Sequence, residues 1–428
     1  MCARKKSANR RSVDEEAMDW LRGLIKLLIS TLTALLLIQF ADARSKAQRT
    51  SPNPRRVFLL DGRHLLETRQ RIRDGDKRFE PSLAQLRREA EKALSSPLQS
   101  VVNKDATPPS GDKHDYMSQA PYFWRDQTSP TGSPYIRRDG ERNPEINKFP
   151  DHQSMDRMVG AVELLALEYF FESAETFAAK AAQLLRAWFV DPATRMNPNL
   201  EYAQGIPGIN TGRGIGLIET RGLTRVVDAV GLLAGSKAWS ESDQRSLEQW
   251  FADFLRWMLE SKNGRDEAEA KNNHGTYYDL QVTSFALFLG KNTLATHTLE
   301  TAREKRIAIQ IDPDGRQPLE LVRTRAWSYS VGNLDGLTLL ATLGERIGVD
   351  LWDYRTADGR SIRRAFDYLI PFALGAKNWP HQQLGEWQPQ ILYPMMRRAA
   401  ARYRDEKYQA LMAKIPRLDP GDRGNLTF

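Results

Sequence analysis

The chain contains a single cysteine, Cys2, among its 428 residues. That count excludes a scaffold held by disulfides and any metal cluster built from thiolates. The sequence also lacks a His-Glu-x-x-His motif, a cluster of Cys and His, and an EF-hand loop, so no metal and no other cofactor is predicted. A Gly-x-Ser-x-Gly motif is missing, which weakens the case for a serine hydrolase. Alternating apolar and polar runs do not recur, so we do not expect a domain built on a sheet.

The composition is that of an ordinary globular protein, with 41% hydrophobic and 27% charged residues. The formal net charge of +8 indicates an acidic partner without identifying it. A glycine-rich segment, residues 205–216, superficially resembles a nucleotide-binding loop. No strand precedes it and no Gly-Lys-Ser/Thr follows, so we reject that interpretation. No nucleic-acid partner is predicted.

The only long apolar run lies near the N-terminus and is typical of a secretory signal. Its uncharged stretch, residues 27–40, is shorter than the ~20 residues that a spanning helix needs. Two basic residues precede it, and Ala41-Asp42-Ala43 supplies a small-x-small cleavage pattern. We therefore predict a signal peptide over residues 1–43, a periplasmic or secreted protein, and no membrane attachment after cleavage. An uncleaved anchor is the alternative interpretation, and a true start at Met1 or at Met18 is left open.

Helical periodicity dominates the rest of the chain. Residues 44–57 are basic, contain Ser and Pro, and are predicted to be a linker, whereas residues 58–428 are expected to form one large α-domain. Ser240 with Asp243 three residues later predicts a capped helix start. Stacking the helices as antiparallel hairpins in a ring would bury so many apolar faces. The other predicted helices cover residues 81–94, 155–171, 175–189, 216–233, 276–289, 292–309, 325–345, 361–374, 389–403 and 405–414.

Two segments depart from the helical pattern. Residues 57–60 are predicted to form a short strand. Residues 101–153 have the composition of a long loop, rich in Pro, Gly, Asp and aromatic residues. Loops of this length are usually functional or disordered, and the aromatic content argues against disorder. Aromatic rings pack on the apolar faces of sugars, so one interpretation is the wall of a carbohydrate cleft, and the other is a fixed surface loop.

The segment Lys271–Gly275 gathers two amides and an imidazole just before a predicted helix. The N-terminal end of a helix carries about half a positive charge and attracts carboxylates. These residues are therefore candidates for binding an acidic ligand. The alternative is structural: Asn272 or Asn273 caps the helix and His274 satisfies a buried partner.

A second candidate segment is Arg323–Tyr329. If it is helical, Arg325 and Tyr329 lie four residues apart and share a face. A guanidinium beside a phenol favours the phenolate and lowers the pKa of the phenol from about 10. Such a tyrosine could exchange protons near neutral pH. The alternative is an exposed arginine beside a tyrosine of the core.

An ordered set of motifs resembles the alginate lyase family of polysaccharide lyases, over roughly residues 100–345. The resemblance implies an all-α fold, an incomplete α/α toroid of antiparallel helix hairpins. It also implies an exported lyase that cleaves 1,4-linked uronate polymers, either the polymannuronate of alginate or glucuronan, by β-elimination. The exact polymer, endo or exo action and the oligomeric state are left open. The motifs are Asp112–Asp126, Asp139-Gly140, Arg186–Phe189, Met196–Leu200, Tyr202–Gln204, Asn272–Gly275 and Arg323–Tyr329.

The resemblance also implies roles for individual residues. Asn273 and His274 match the Asn-His pair of the family, and Tyr329 matches its catalytic tyrosine. The family's arginine corresponds to Arg323 by motif order or to Arg325 by helical geometry. The tyrosine would take the C5 proton and return one to the leaving O4, while the other groups neutralise the uronate carboxylate. Further residues expected to bind the acidic polysaccharide are Tyr116, Trp124, Tyr202, Gln204, Lys271 and Asn272.

Two other functions are weighed against the lyase. A glycoside hydrolase on a similar toroid would need two opposed carboxylates. Asp115, Glu145, Glu219 and Asp279 are available, but no pair stands out. A non-catalytic carbohydrate-binding protein is the other alternative, and the retained Asn-His, Arg and Tyr residues argue against it.

Overall fold

Helices make up most of the computed structural model, which describes residues 56–427. The α-helices are α1 (Gly62–Arg73), α2 (Glu80–Leu94), α3 (Asp151–Glu172), α4 (Glu175–Leu185), α5 (Leu223–Leu232), α6 (Glu241–Glu260), α7 (Lys262–Ala268), α8 (Asn273–Phe288), α9 (Asn292–Ala302), α10 (Ala308–Gln310), α11 (Pro318–Leu321), α12 (Ala326–Ile347), α13 (Ile362–Ala373), α14 (Tyr393–Tyr403), α15 (Glu406–Met412) and α16 (Gly424–Thr427). Short 3₁₀ segments lie at Lys77–Phe79, Val101–Asn103, Pro144–Lys148, Gly214–Gly222 and Pro389–Leu392, and π-helical turns lie at Arg186–Val190 and Arg303–Ile307.

Helix α6 shows why the local sequence folds as predicted. The Ser240 hydroxyl accepts the Asp243 N–H at 3.1 Å, and the Asp243 carboxylate accepts the Ser240 N–H at 2.9 Å. This reciprocal pair satisfies two amide groups that the first turn of a helix leaves without partners. Farther along, Trp250 and Phe254 stack at 5.2 Å on the buried face of the helix. The predicted capped, amphipathic helix is confirmed.

Two long helices, α3 and α8, organise the packing. Helix α3 packs against α2, α4 and α5, and α8 packs against α5, α6, α7, α9 and α12. Both are buried on most of their surface, which explains why their sequences are apolar over more than one stripe. Successive helices stack as antiparallel hairpins into an incomplete α/α toroid. The all-α fold predicted from the sequence is thereby confirmed.

The long loop that interrupts the helices has a structure of its own. It contains strands β1 (Met117–Gln119), β2 (Phe123–Trp124) and β3 (Ile136–Arg137), and a fourth strand, β4 (Tyr202–Gly205), lies later in the chain. Strands β1 and β4 pair in parallel, and β2 and β3 form an antiparallel pair. The buried ammonium of Lys104 bonds Asp151 at 2.9 Å and three backbone carbonyls of the loop. These bonds fix the loop to the start of α3.

The predicted strand at residues 57–60 is wrong. The buried carboxylate of Asp228 accepts the N–H groups of Phe58, Leu59 and Leu60 at 2.7, 2.9 and 2.7 Å. The Arg346 guanidinium donates to carbonyls of the same segment. Side chains thus form hydrogen bonds with the backbone N–H and C=O groups that a strand would use to pair with a neighbouring strand. The segment bends instead.

Several helix boundaries differ from the prediction, and α1, α7, α11 and α16 were not predicted. The predicted helix 292–309 is interrupted by the π-helical turn at Arg303–Ile307, and the predicted helix 389–403 begins with the 3₁₀ segment Pro389–Leu392. The predicted helix 216–233 begins as a 3₁₀ segment and becomes α-helical at Leu223, and the helix predicted to reach residue 189 ends in a π-helical turn. Helix α1 is rich in charged residues, so its apolar stripe is weak, although Asp61 caps it by accepting two backbone N–H groups.

The described residues, 56–427, belong to one compact unit. Within residues 56–427, no helix combines the length and the apolar character needed to cross a membrane. The predicted signal peptide lies outside the described residues, as does the predicted linker up to residue 55.

Candidate active site

A cavity of about 640 Å³ lies between the long loop and the N-terminal ends of α8 and α12. It brings together side chains that are far apart in the sequence. Of the residues predicted to form the site, those that line this cavity are Gln204, Asn272, Asn273, His274, Arg323 and Tyr329.

Asn273 is the first residue of α8, and Glu320 holds it from another segment. The Glu320 carboxylate accepts the backbone N–H of Asn273 at 2.7 Å and its side-chain amide at 2.7 Å. The preceding residue, Asn272, occupies the N-cap position but makes no capping bond with its side chain. Glu320 therefore accepts a backbone N–H that the first turn of α8 leaves without a partner. The same carboxylate fixes the Asn273 side-chain amide at the wall of the cavity.

His274 is held by a second buried carboxylate. Its Nδ1 lies 2.8 Å from Oε1 of Glu267, a residue that is 1% exposed. A carboxylate accepts the Nδ1 proton and so leaves Nε2 as the ring nitrogen available to a ligand. The imidazole is thus oriented in the manner of a histidine that acts on a bound molecule.

Tyr329 lies in the first turn of α12 and contacts two other groups of the cavity wall. Its hydroxyl donates to the hydroxyl of Tyr122 at 2.8 Å. The guanidinium of Arg323 lies over its ring, 4.0 Å from the centroid. Arg323 in turn makes a forked ion pair with Asp139, at 2.7 and 3.0 Å. The long loop, through Asp139, therefore holds the arginine that covers the tyrosine.

The net pKa shift of Tyr329 is opposite to the one expected from the sequence. Burial raises the pKa of the phenol, and the hydrogen bond with Tyr122 raises it further. The charge of Arg323 acts in the other direction but is the smaller effect. The expected depression of the pKa by a neighbouring guanidinium is therefore wrong for the free site, where the phenol keeps its proton and Tyr122 accepts the hydrogen bond.

The two candidate arginines, Arg323 and Arg325, lie in different surroundings. Helix α12 begins at Ala326, so Arg325 is its N-cap residue and does not share a helical face with Tyr329. The backbone of Arg325 bridges to Gln383 instead. Among the described residues that line the cavity, Arg323 is present and Arg325 is not. The geometry thus favours Arg323, the arginine indicated by the order of the motifs.

Only some of the residues predicted to bind substrate line the cavity. Gln204 lines the cavity and accepts a hydrogen bond from Arg213 at 2.9 Å. Tyr116 is fully buried, and its hydroxyl donates to Glu219 at 2.7 Å, so it supports the wall from behind. A contact between Tyr116 and substrate is therefore not compatible with its position. The remaining three, which lie outside the described lining of the cavity, are Trp124, Tyr202 and Lys271.

Sequence reasoning missed two kinds of residue at the site. Tyr122 stands in an aromatic run that was assigned only to the loop as a whole. Four arginines besides Arg323 also converge on the cavity from separate segments, and no local pattern identifies these four because they are scattered along the chain. Five arginines line it, against Glu219 as the one carboxylate among the described lining residues: Arg137, Arg142, Arg213, Arg221 and Arg323. The cavity is therefore suited to an anion.

The four carboxylates considered for a hydrolase do not form an opposed pair. Glu219 lines the cavity, where its carboxylate accepts from Tyr116 and from Ser118 at 2.6 Å. The other three are absent from the described lining, and neighbouring polar or cationic side chains bind each of them: Asp115, Glu145 and Asp279. In residues 56–427, no group of three or more His, Cys, Asp or Glu side chains is placed to hold a metal ion.

Comparison with known proteins gives a family and a fold. The family model for alginate lyase matches residues 100–379. A solved alginate lyase from Bacteroides ovatus is 38% identical, with a TM-score of 0.83, over 87% of this chain and 98% of that one. Alginate lyase A1-III from Sphingomonas species A1 is 16% identical, with a TM-score of 0.54, over 89% and 96% of the two chains. A histidine-to-alanine variant of A1-III, complexed with a tetrasaccharide, has a TM-score of 0.55 at 16% identity over the same shares. No curated protein matches significantly.

Proposed function

Because the chain belongs to the alginate lyase family and is a polysaccharide lyase, we propose that it cleaves 1,4-linked uronate polymers, alginate or glucuronan, by β-elimination. The single observation that carries this proposal is the convergence of Asn273, His274, Arg323 and Tyr329 on one arginine-rich cavity. An amide, an imidazole, a guanidinium and a phenol are the groups that this reaction needs.

The first requirement is to neutralise the uronate carboxylate. The C5 proton is barely acidic while the neighbouring carboxylate keeps its charge, because the electrons left behind would add to that charge. Donors placed against the carboxylate stabilise the doubly charged intermediate as it develops. We assign this role to Asn273, His274 and Arg323, each of which lines the cavity and is held by a carboxylate behind it.

The second requirement is a base that later acts as an acid. Tyr329 must lose its own proton before it can take the C5 proton, and burial opposes that loss. Tyr122 is the hydroxyl to which Tyr329 already donates, so it can take the departing proton while it releases its own to solvent in the cavity that it lines. The phenolate then abstracts the C5 proton and returns it to O4 as the glycosidic bond breaks. One residue can serve both steps in mannuronan and glucuronan, since H5 and O4 lie on the same face.

The choice of polymer within this class follows from the chemistry of the sugars. Mannuronate and glucuronate differ only at C2, so both fit the arrangement of Tyr329 and the carboxylate-binding groups. Guluronate is inverted at C5 and would need a base on the opposite face, for which His274 is the candidate. The arginine-rich lining supports a polyanionic substrate in each case, because a cluster of cations raises the local concentration of the polymer.

Export is part of the proposal and depends on the sequence alone. The apolar segment and the cleavage pattern ending at Ala43 support a secretory signal that directs the enzyme to the periplasm or the medium. Expression of the full chain in a Gram-negative host, followed by fractionation and N-terminal sequencing, tests this. A mature protein that still begins at Met1 or Met18 contradicts cleavage.

The function is tested by treating mannuronan, guluronan, glucuronan and hyaluronan separately with the protein and following ultraviolet absorbance from the unsaturated product. We expect absorbance to rise with mannuronan or glucuronan. A hydrolase would release reducing ends without that absorbance, and a carbohydrate-binding protein would give neither signal. Either result would refute the proposed β-elimination of these polymers.

A further inference from the structure

One buried carboxylate controls the position of the amide in the candidate site. Glu320 is 1% exposed, and each of its two oxygens accepts one hydrogen bond from Asn273. The two residues are 47 positions apart, so this contact is a product of the tertiary fold. Burying a carboxylate is unfavourable unless its oxygens are satisfied, and here Asn273 satisfies both.

The bond to Glu320 also decides which way the Asn273 amide faces. The backbone N–H of Asn273 donates to one Glu320 oxygen and its side-chain nitrogen donates to the other, so the NH₂ group and not the carbonyl faces the carboxyl group. The NH₂ group has two hydrogens, and Glu320 takes one of them. The second hydrogen remains on a side chain that lines the cavity. A flipped amide would present its carbonyl oxygen to Glu320, which would place two acceptors against each other.

Glu320 also lies close in sequence to the arginine of the site. It lies on the short helix α11, three residues before Arg323, whose guanidinium covers the ring of Tyr329. Glu320 thus holds the amide at the start of α8, whereas the cation beside it in sequence is held by Asp139.

We propose that Glu320 is a positioning residue for catalysis, which fixes the Asn273 amide with one N–H directed at the carboxylate of the uronate being cleaved. The proposal rests on the proposed lyase function. Glu320 contributes to kcat only by holding the Asn273 amide. Replacing Glu320 should therefore lower kcat in the wild type but not in a variant that already lacks the Asn273 side chain. That dependence separates positioning from a general contribution to folding.

The experiment is a double-mutant cycle with Glu320→Gln, Asn273→Ala and the double variant, assayed on the uronate polymer that the wild type cleaves. Losing a hydrogen bond to a charged group lowers kcat by about 10- to 100-fold, and we expect this for Glu320→Gln with KM changed less than about threefold. The double variant should be no worse than Asn273→Ala by more than about threefold. Losses that multiply, or a Glu320→Gln variant with wild-type kcat, would overturn the proposal.

Glu168→Gln is the matched control, because Glu168 is a fully buried glutamate on α3 that accepts no hydrogen bond within the described residues and does not line the cavity. Its kcat should equal that of the wild type. If Glu320→Gln fails to fold, Glu320→Asp keeps the charge and shortens the side chain by one methylene. That variant should still lower kcat at least fivefold, and wild-type turnover by it would refute the positioning role.

A structural measurement keeps the two proposals distinguishable. A crystal structure of Glu320→Gln without ligand should show the Asn273 amide rotated away from its wild-type position. An unmoved amide refutes the role of Glu320 whatever the enzyme does. A wild type that is inactive on every uronate polymer refutes the proposed function instead.

Discussion

Replacing the two candidate arginines one at a time gives a direct test of the site. Arg323→Ala removes the guanidinium that lies 4.0 Å from the centroid of the Tyr329 ring and makes the forked ion pair with Asp139. Arg325→Ala removes a side chain of the same type, two residues away, that does not line the described cavity. The second variant is thus a matched control for charge and for location in the chain.

The expected magnitude follows from the contacts of Arg323. A cation over an aromatic ring stabilises by about 0.5–2 kcal/mol. Its hydrogen bonds to a substrate carboxylate contribute about 1.5–3 kcal/mol. The contact with the ring already exists in the free site, so only the hydrogen bonds to substrate lower the barrier. Since each 1.36 kcal/mol is tenfold in rate, kcat/KM should fall by at least about 10-fold. The pKa of Tyr329 should also rise further, because Arg323 is the cation that opposes the effect of burial.

The assay is the initial rate of ultraviolet absorbance on the preferred polymer, with circular dichroism to show that both variants are folded. We expect Arg325→Ala to keep kcat/KM within about threefold, as usual for a residue away from the site. Equal losses in the two variants, or a larger loss in Arg325→Ala, would refute the assignment of Arg323. Asp139→Asn should reproduce part of the Arg323→Ala defect, because it weakens the ion pair that holds the guanidinium.

Three further predictions concern single side chains. Tyr329→Phe should abolish turnover while the polymer still binds, measured by equilibrium binding beside the absorbance assay, and a near-normal rate would contradict its role in proton transfer. Tyr122→Phe keeps the ring but removes the hydroxyl to which Tyr329 donates, so kcat should fall by about 10²-fold with little change in KM; an unchanged kcat would exclude Tyr122 from the proton route. Burial raises the pKa of Glu168 to about 7 from its ordinary value of 4.5. The folded state therefore binds this proton more tightly than the unfolded state does, and the wild type loses stability as pH rises from about 4.5 to about 7. Glu168→Gln should match the wild type at pH 4 and exceed it by about 3 kcal/mol at pH 8 in denaturant titrations, and equal stability at both pH values would refute this reasoning.

The sequence by itself predicted the parts of the molecule that depend on local pattern. The 3.6-residue periodicity identified most of the long helices, and the Ser240 and Asp243 pair located the start of α6, because capping acts within one turn. The Asn-His motif and the tyrosine of the Arg323–Tyr329 segment were recognisable for the same reason. Each is a short run whose order along the chain is typical of one enzyme family.

Only the tertiary structure decided which partners these residues have. Tyr122 and Tyr329 are 207 positions apart, and Glu320 and Asn273 are 47 apart. No spacing rule connects residues across such separations, since the toroid brings their segments together. Burial was equally invisible in the sequence: it placed Tyr116 behind the wall of the cavity and raised the pKa of Tyr329 against the effect of its arginine. Desolvation depends on everything packed around a group, and that is a property of the folded chain alone.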